Sequence, residues 1–218
     1  MLVKLQKQLT DIYQVDSGLD VRDYLITDPR LARLLGQQSL MPNTEESVLL
    51  AQDSDGLALS VYLNQELLDR LDEANPMANL QLEQLNDFWI ALEGVSHFNY
   101  LVWSASKDRS VTLLELELQA EVDKYVMSLL LVSKQGDNEL ARQLHALQFE
   151  VSRIKPDLDQ EQYERYTAAS DYAGRFCHHL RERLIDSNER ALSELRQFYR
   201  LTQTDKISHI HSQAWASS

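Results

Sequence analysis

The chain has 218 residues, 44% of them hydrophobic, a formal net charge of −13 and a single cysteine. Such a length and apolar content suffice for one domain with a substantial core and exclude a disordered chain. The acidic charge disfavours nucleic acid as a partner, and the lone Cys177 excludes an internal disulfide framework. There is no secretory signal and no apolar run near the roughly 20 residues of a membrane span, so we expect a cytoplasmic protein without a membrane partner.

Two helices are predicted near the start of the chain. Leu2, Leu5, Leu9 and Tyr13 recur three or four positions apart, which is the period of one helix face. A second helix is expected within residues 28–36. There an aspartate can cap the first turn, a proline suits the first helical position, and a glycine suits the residue after the end.

The hydrophobic period changes to two between residues 47 and 63. Leu59, Val61 and Leu63 alternate with smaller or more polar residues, and an Asp-Gly pair precedes them. This pattern predicts a β-hairpin over 47–63 with one buried face. The free edges of a hairpin can dock on another protein, although helices of the same chain can also cover them.

The remainder of the chain reads as helices joined by short loops. A short helix should follow Asn64 and end at Asn75, which precedes a proline. Thr112 and Glu115 fit a capping box at the start of a longer helix. The longer helices are predicted over residues 79–104, 112–134, 137–153, 159–200 and 204–211.

These elements predict a mainly α fold in a single domain over 1–218. Residues 77–211 would form an antiparallel helical bundle, because its connecting loops are short. Residues 1–76 would form an N-terminal cap of helices that carries the hairpin. Residues 212–218 would be a frayed tail.

Two of the predicted helices carry a narrow polar stripe on an otherwise apolar surface. The stripes comprise Glu93, Ser96, His97, Tyr100 and Ser104 in helix 79–104, and Glu117, Glu121, Lys124 and Ser128 in helix 112–134. Residues three and four apart share a helix face. Because the loop between the helices is short, we expect them to pack antiparallel, so that the two stripes meet.

The facing stripes allow a chemical and a structural interpretation. Carboxylates and imidazoles on facing helices can hold iron or manganese, and the candidate ligands are Glu93, His97, Glu117 and Glu121. Alternatively Glu93, His97 and Glu121 could act as general acid–base groups. The paired Glu-x-x-His pattern of di-iron proteins is absent from the sequence.

In the structural interpretation the same residues only fix how the helices pack. Lys124 would then neutralise Glu93, and His97 would bond to Glu121 or to a backbone carbonyl. Tyr100 lies on the same stripe as Glu93 and His97. Asp171 and His178, from a third helix, are further candidate polar partners of the site.

The sequence contains no phosphate-binding glycine loop, zinc motif or serine-hydrolase motif. The first prediction is therefore a helical interaction or accessory protein that binds another protein or itself as a homodimer. The hairpin edge would supply the interface, or else Arg196, Tyr199 and Arg200 near the C-terminus. The alternative is an enzyme with the carboxylate and histidine site described above. A third hypothesis, an acidic mimic of nucleic acid, follows from charge alone.

Overall fold

A computed structural model describes residues 1–36, 44–53, 56–150, 158–185 and 189–216, without the side chains of 51–53, 56–57 and 214–216. Within these ranges the chain is mainly α with a small sheet, as the sequence predicts. The α-helices are α1 Leu2–Tyr13, α2 Pro29–Gly36, α3 Gln65–Ala74, α4 Leu85–Ala105, α5 Leu113–Gln135, α6 Asn138–Phe149, α7 Gln160–Ile185, α8 Glu189–Arg200 and α9 Gln203–Ala216. The strands are β1 Leu25–Ile26, β2 Glu46–Asp53 and β3 Gly56–Leu63.

The predicted hairpin is confirmed and forms part of a sheet with the order β1-β3-β2 among the described residues. Its single buried face is wrong, because Leu49 and Tyr62 on the other face are buried with Ala32 of α2. β2 and β3 pair antiparallel, with Glu46 opposite Leu63 and Val48 opposite Val61. Residues that face each other across a strand pair point to the same side of the sheet. Val61 and Leu63 are fully buried, so Glu46 and Val48 lie on the inward side. The short parallel strand β1 was not predicted, and Asp55 of the expected turn lies outside the described residues.

Helix α5 lies at the centre of the bundle, between α4 and α7. The Thr112 side chain accepts from the backbone N–H of Glu115 at 3.1 Å, as the capping pattern predicts. Trp89 Nε1 donates to Ser128 Oγ at 2.9 Å, and Tyr100 Oη donates to Glu115 Oε1 at 2.5 Å. The start of α4 thus lies beside the end of α5, and the end of α4 lies beside the start of α5. The two helices therefore run antiparallel.

One continuous set of buried side chains extends from Leu2 to Ile210. The C-terminal helices contribute to it by packing on α1, where the Tyr199 ring stacks on Tyr13 with 4.2 Å between centroids. This packing joins the N-terminal segment to the bundle. Among the described residues, no helix is both long enough and apolar enough to cross a bilayer.

The predicted continuous helix over 159–200 is wrong, because the structure has two helices, α7 and α8. The rings of Phe176 and Phe198 stack with centroids 3.9 Å apart. A straight helix would separate these residues by about 33 Å at 1.5 Å per residue. The reversal lets the apolar faces of α7 and α8 cover each other. The last predicted helix, over 204–211, is longer in the structure, where α9 runs from Gln203 to Ala216.

The other helix boundaries differ only slightly from the predicted ones. Helix α4 begins at Leu85, after a single 3₁₀ turn at Leu82–Gln84. Helix α6 ends at Phe149, and residues 151–157, which the prediction partly included, lie outside the described ranges.

Candidate metal site

Gly94 brings the sheet into close contact with the middle of α4. A Cβ atom at this position would lie 3.2 Å from Val61 Cγ1, 3.2 Å from Leu63 Cδ2 and 3.3 Å from Glu46 Cγ. The absence of a side chain therefore sets how near β2 and β3 approach the helix. As a result the first residue of β2, Glu46, lies beside the turn of α4 that carries His97.

Glu46, Glu93 and His97 form a compact cluster at this contact. One potential ligand atom from each side chain lies within 4.8 Å of the others. His97 Nδ1 is 3.5 Å from Glu46 Oε1, and both side chains are 7% exposed. Two ligands of a tetrahedral zinc ion with bonds of about 2.05 Å lie roughly 3.3 Å apart. The observed separation is close to that spacing and longer than a usual N–H···O hydrogen bond.

Glu117 of α5 lies on the other side of the His97 ring. Its Oε2 is 3.6 Å from His97 Nε2, a buried atom that makes no hydrogen bond to the residues the structure describes. Burial lowers the pKa of His97, but the neighbouring carboxylates of Glu117 and Glu46 outweigh it and hold the pKa well above its usual value. The imidazole is thus placed between two acidic groups, one at each ring nitrogen.

Lys124 links the cluster to a fourth carboxylate. Its ammonium donates to Glu93 Oε2 at 3.0 Å and contacts Glu121 Oε1. Burial opposes the charged form, but Glu121 and Glu93 raise the pKa of Lys124 above its ordinary range. Glu121 Oε2 also accepts from Gln148 Nε2 at 2.9 Å. Glu121 therefore belongs to the salt bridge rather than to the histidine.

A cavity of about 530 Å³ lies in front of His97. This volume is within the range of roughly 300–1,000 Å³ that is typical of small-molecule sites. Its walls come from β2 and from the start of α5 and α7. The residues that line it are Thr44, Glu46, Ser47, Val48, His97, Leu113, Leu116, Glu117, Asp159, Glu161, Gln162, Arg165 and Tyr166.

The structure brings together the five charged residues of the two predicted stripes: Glu93, His97, Glu117, Glu121 and Lys124. Sequence reasoning missed Glu46, which it assigned to a loop before the hairpin. Alternation alone could not place Glu46, because both phases of β2 carry leucines, Leu50 in phase with Glu46 and Leu49 out of phase. The pairing of Glu46 with the buried Leu63 turns its carboxylate toward α4.

Three other predicted partners lie elsewhere. Tyr100 donates to Glu115 Oε1 instead of joining the cluster. Asp171 is exposed and pairs with Arg175 at 2.8 Å. Asp171 and His178 line a separate groove of about 480 Å³ next to His145, so neither contributes to the cluster.

The predicted interface residues have partners within the chain. Tyr199 is 1% exposed, Arg196 Nε donates to the Ile12 carbonyl at 2.9 Å, and an Arg200 guanidinium N–H donates to the Tyr13 carbonyl at 3.1 Å. The two arginines thus satisfy carbonyls at the end of α1, which a helix terminus leaves without internal partners. Tyr199 cannot reach another protein while α8 is docked.

A second buried polar network was also missed. Asp123 accepts from Tyr13 Oη, from Ser96 Oγ at 2.5 Å and from Gln119 Nε2 at 2.8 Å. Burial raises the pKa of Asp123 to about 6, although these hydrogen bonds oppose the rise. Lys206 of α9 also belongs to this network. It is fully buried and donates to Gln119 Oε1 at 2.7 Å, so the network attaches α9 to the bundle.

Comparison with protein families, with curated proteins and with solved structures gives no significant match to this chain. The case for a functional site therefore rests on the geometry around His97.

Proposed function

We propose that this protein is a metal-dependent enzyme that binds a divalent first-row transition metal through Glu46, Glu93 and His97. The observation that carries the proposal is the convergence of three ligand atoms within 4.8 Å on largely buried side chains. Carboxylate and imidazole ligands suit manganese, iron and zinc. Iron and manganese, which the sequence predicts, remain candidate metals. Zinc is a further candidate, because a catalytic zinc ion commonly has only three protein ligands.

The surroundings of His97 provide independent support. If Nδ1 binds the metal on the side of Glu46, then the buried Nε2–H points toward Glu117. A carboxylate that accepts from the second nitrogen of a metal-bound histidine fixes its tautomer and orientation. Nε2 makes no hydrogen bond within the described part of the chain. A small decrease of its 3.6 Å distance to Glu117 Oε2 would let Nε2–H donate to that carboxylate.

The charges around His97 also suit a cation. The carboxylates of Glu46 and Glu117 face the two nitrogens of its ring. A dication bound at Nδ1 would leave the imidazole neutral, with its Nε2–H directed at Glu117.

A catalytic role is favoured over a purely structural one by the number of ligands and by the cavity. Structural zinc sites are usually closed by four protein ligands, whereas catalytic sites keep a position open for water or substrate. The cluster offers three ligands, and Glu46 and His97 both line the cavity. Water bound to the metal at the open position would become more acidic and could serve as a nucleophile or base.

The test is the metal content and affinity of the purified protein. We expect about one Mn²⁺, Fe²⁺ or Zn²⁺ per chain by elemental analysis, and an affinity at least about 100-fold weaker in Glu46→Gln and in His97→Gln. Glu139→Gln is the control, because it removes the same charge from an exposed residue. A folded wild-type protein that binds none of the three metals at micromolar concentration would contradict the proposal.

A role in binding another protein, or a second copy of this chain, is a second candidate. It is supported by β2, which lies at the edge of the sheet, and by exposed leucines nearby. Leu34 is 74% exposed and Leu50 is 50% exposed. If this surface forms a homodimer, Leu50→Lys should shift the molar mass measured by light scattering from dimer to monomer. A wild-type protein that is monomeric at high concentration would exclude self-association.

A further inference from the structure

Arg165 of α7 lines the same cavity as Glu46, His97 and Glu117. Only 16% of its side chain is exposed, and its Nε atom is buried without a hydrogen bond to any described residue. The nearest carboxylate that pairs with it, Glu161, is 3.9 Å away and 89% exposed. Such a pair at the surface contributes little. The guanidinium therefore keeps donor capacity inside the cavity.

Buried arginines usually satisfy their donors, because an unmade hydrogen bond to a charged group is costly. A guanidinium matches the geometry of a carboxylate or a phosphate, to which it can donate two parallel hydrogen bonds. The Tyr166 ring lies 5.5 Å from the Arg165 guanidinium carbon and restricts where that group can move. Arg165 is thus a positioned donor that faces a cavity of ligand size.

We propose that the cavity binds a small organic molecule through an oxyanion group, a carboxylate or a phosphate, held by Arg165. This inference rests on the proposed function, because the rest of the molecule would then extend toward the metal at Glu46 and His97. The metal explains how an anion can enter a cavity with an acidic wall. A dication neutralises the carboxylates that bind it. Three other acidic residues line the cavity: Glu117, which faces the Nε2–H of His97, and Asp159 and Glu161, which are exposed at the start of α7.

The other residues of the lining set the chemistry of the rest of the ligand. Val48, Leu113 and Leu116 supply apolar surface, while the hydroxyl groups of Thr44 and Ser47 supply polar contacts. An organic anion with a short apolar portion uses both kinds of wall. Inorganic phosphate would use only the polar one, and we therefore expect it to bind more weakly than an organic carboxylate.

The experiment titrates hexanoate, benzoate, phenyl phosphate and inorganic phosphate into the protein by calorimetry, with and without Co²⁺ as a spectroscopic substitute metal. The Co²⁺ absorption spectrum reports changes at the metal, so a ligand that reaches both ends should alter it. The variants are Arg165→Gln and, as a control on the same helix, Arg175→Gln, whose guanidinium is exposed beside Asp171. Circular dichroism verifies that both variants are folded.

We expect at least one of the organic anions to bind the Co²⁺ protein and to perturb its spectrum. Arg165→Gln should weaken that binding about tenfold or more without changing the Co²⁺ content, and Arg175→Gln should leave it unchanged. Comparison of the carboxylates with phenyl phosphate identifies the oxyanion.

Other outcomes separate the two proposals. If Co²⁺ binds but none of the anions does, or if Arg165→Gln binds them as well as the wild type, the ligand proposal is wrong and the metal site stands. If the protein takes up no metal but binds an organic anion that requires Arg165, the metal proposal is wrong and the ligand site stands. If neither metal nor anion binds, both are wrong.

Discussion

Nδ1 of His97 lies 3.5 Å from Oε1 of Glu46, although one residue belongs to a helix of the bundle and the other to the edge strand of the sheet. This contact makes the sheet part of the candidate site instead of a separate appendage. Loss of the close approach between β2 and α4 should therefore remove metal binding even when every ligand is retained.

Gly94→Ala tests this dependence on distance. The added methyl group would meet Val61 and Leu63 side-chain atoms at 3.2 Å and Glu46 Cγ at 3.3 Å, so these side chains must give by a few tenths of an ångström, and we expect the Glu46 carboxylate to shift relative to His97. Overpacking costs about 1–3 kcal/mol, and the higher helix propensity of alanine offsets about 1 kcal/mol of this. We expect a tenfold or greater loss of metal affinity, measured by competition with a chelator.

The matched control is Gly174→Ala, at which a Cβ would meet the Phe149 ring carbon Cγ at 3.2 Å, away from the cluster. This variant should keep the metal affinity of the wild type, whatever its effect on stability. Equal losses of affinity in the two variants would show that Gly94 has no specific role at the site.

Glu117→Gln and Glu121→Gln should have different effects on the metal. Glu117 faces His97 Nε2, and the loss of such a carboxylate typically weakens metal binding by about 10–100-fold. Glu121 instead contacts Lys124 and Gln148, so Glu121→Gln should change affinity less than about threefold. Titration with Mn²⁺ and Zn²⁺ measures both. The reverse order would indicate that Glu121 is the residue that supports the metal site.

Lys124→Met should destabilise the metal-free protein by about 3 kcal/mol or more. The substitution removes the buried cation that Glu93 and Glu121 share and leaves their charges in a low-dielectric environment. Added Zn²⁺ or Mn²⁺ should restore part of this stability, because a dication beside Glu93 replaces the lost charge. Urea unfolding with and without metal provides the measurement.

The control for this substitution is Lys134→Met, on the exposed side of the same helix. It should alter the free energy of unfolding by no more than about 0.5 kcal/mol. If the two variants lose equal stability, the ion pair at Lys124 has no special importance.

The lowered pKa of Lys206 predicts that the stability of the protein depends on pH. Burial lowers its pKa to about 7 against the partial compensation of Glu115 and Asp123, whereas an unfolded lysine keeps the ordinary value of 10.5. Above pH 7 the unfolded chain therefore binds more protons than the folded one, and stability rises with pH. Between pH 7 and 8.5 the free energy of unfolding should therefore increase by about 1.5 kcal/mol, since one pKa unit corresponds to about 1.36 kcal/mol.

Lys206→Met should remove that rise, and the comparison of the two proteins cancels the titration of groups that do not interact with Lys206. Asp123 does interact with it, so Asp123→Asn is made in both backgrounds. Urea unfolding at pH 7 and at pH 8.5 gives the change in the free energy of unfolding for each protein. Identical pH dependence with and without Lys206 would show that burial does not lower its pKa.

Local features of the fold could be predicted from the sequence. The capping of α5 by Thr112, the hairpin and the helices that flank it follow from hydrophobic period and from capping residues. The short loop after α4 also set the register of α4 against α5, so that Glu93 meets Lys124. These features depend on residues that are close in the chain, or on two helices joined by a loop so short that they can pack in only a few ways.

Only the tertiary structure decided which polar residues form the site. Glu46 joins His97 because Gly94 lets the sheet approach α4, and no local pattern specifies that distance. Lys206 is buried because α9 packs against the bundle, where its ammonium donates to Gln119 of α5 and to the Phe198 carbonyl of α8. Hydrophobic period determines which face of each element is buried. Which other element covers that face depends on the packing of the whole chain, and so does the position of every charge buried between them.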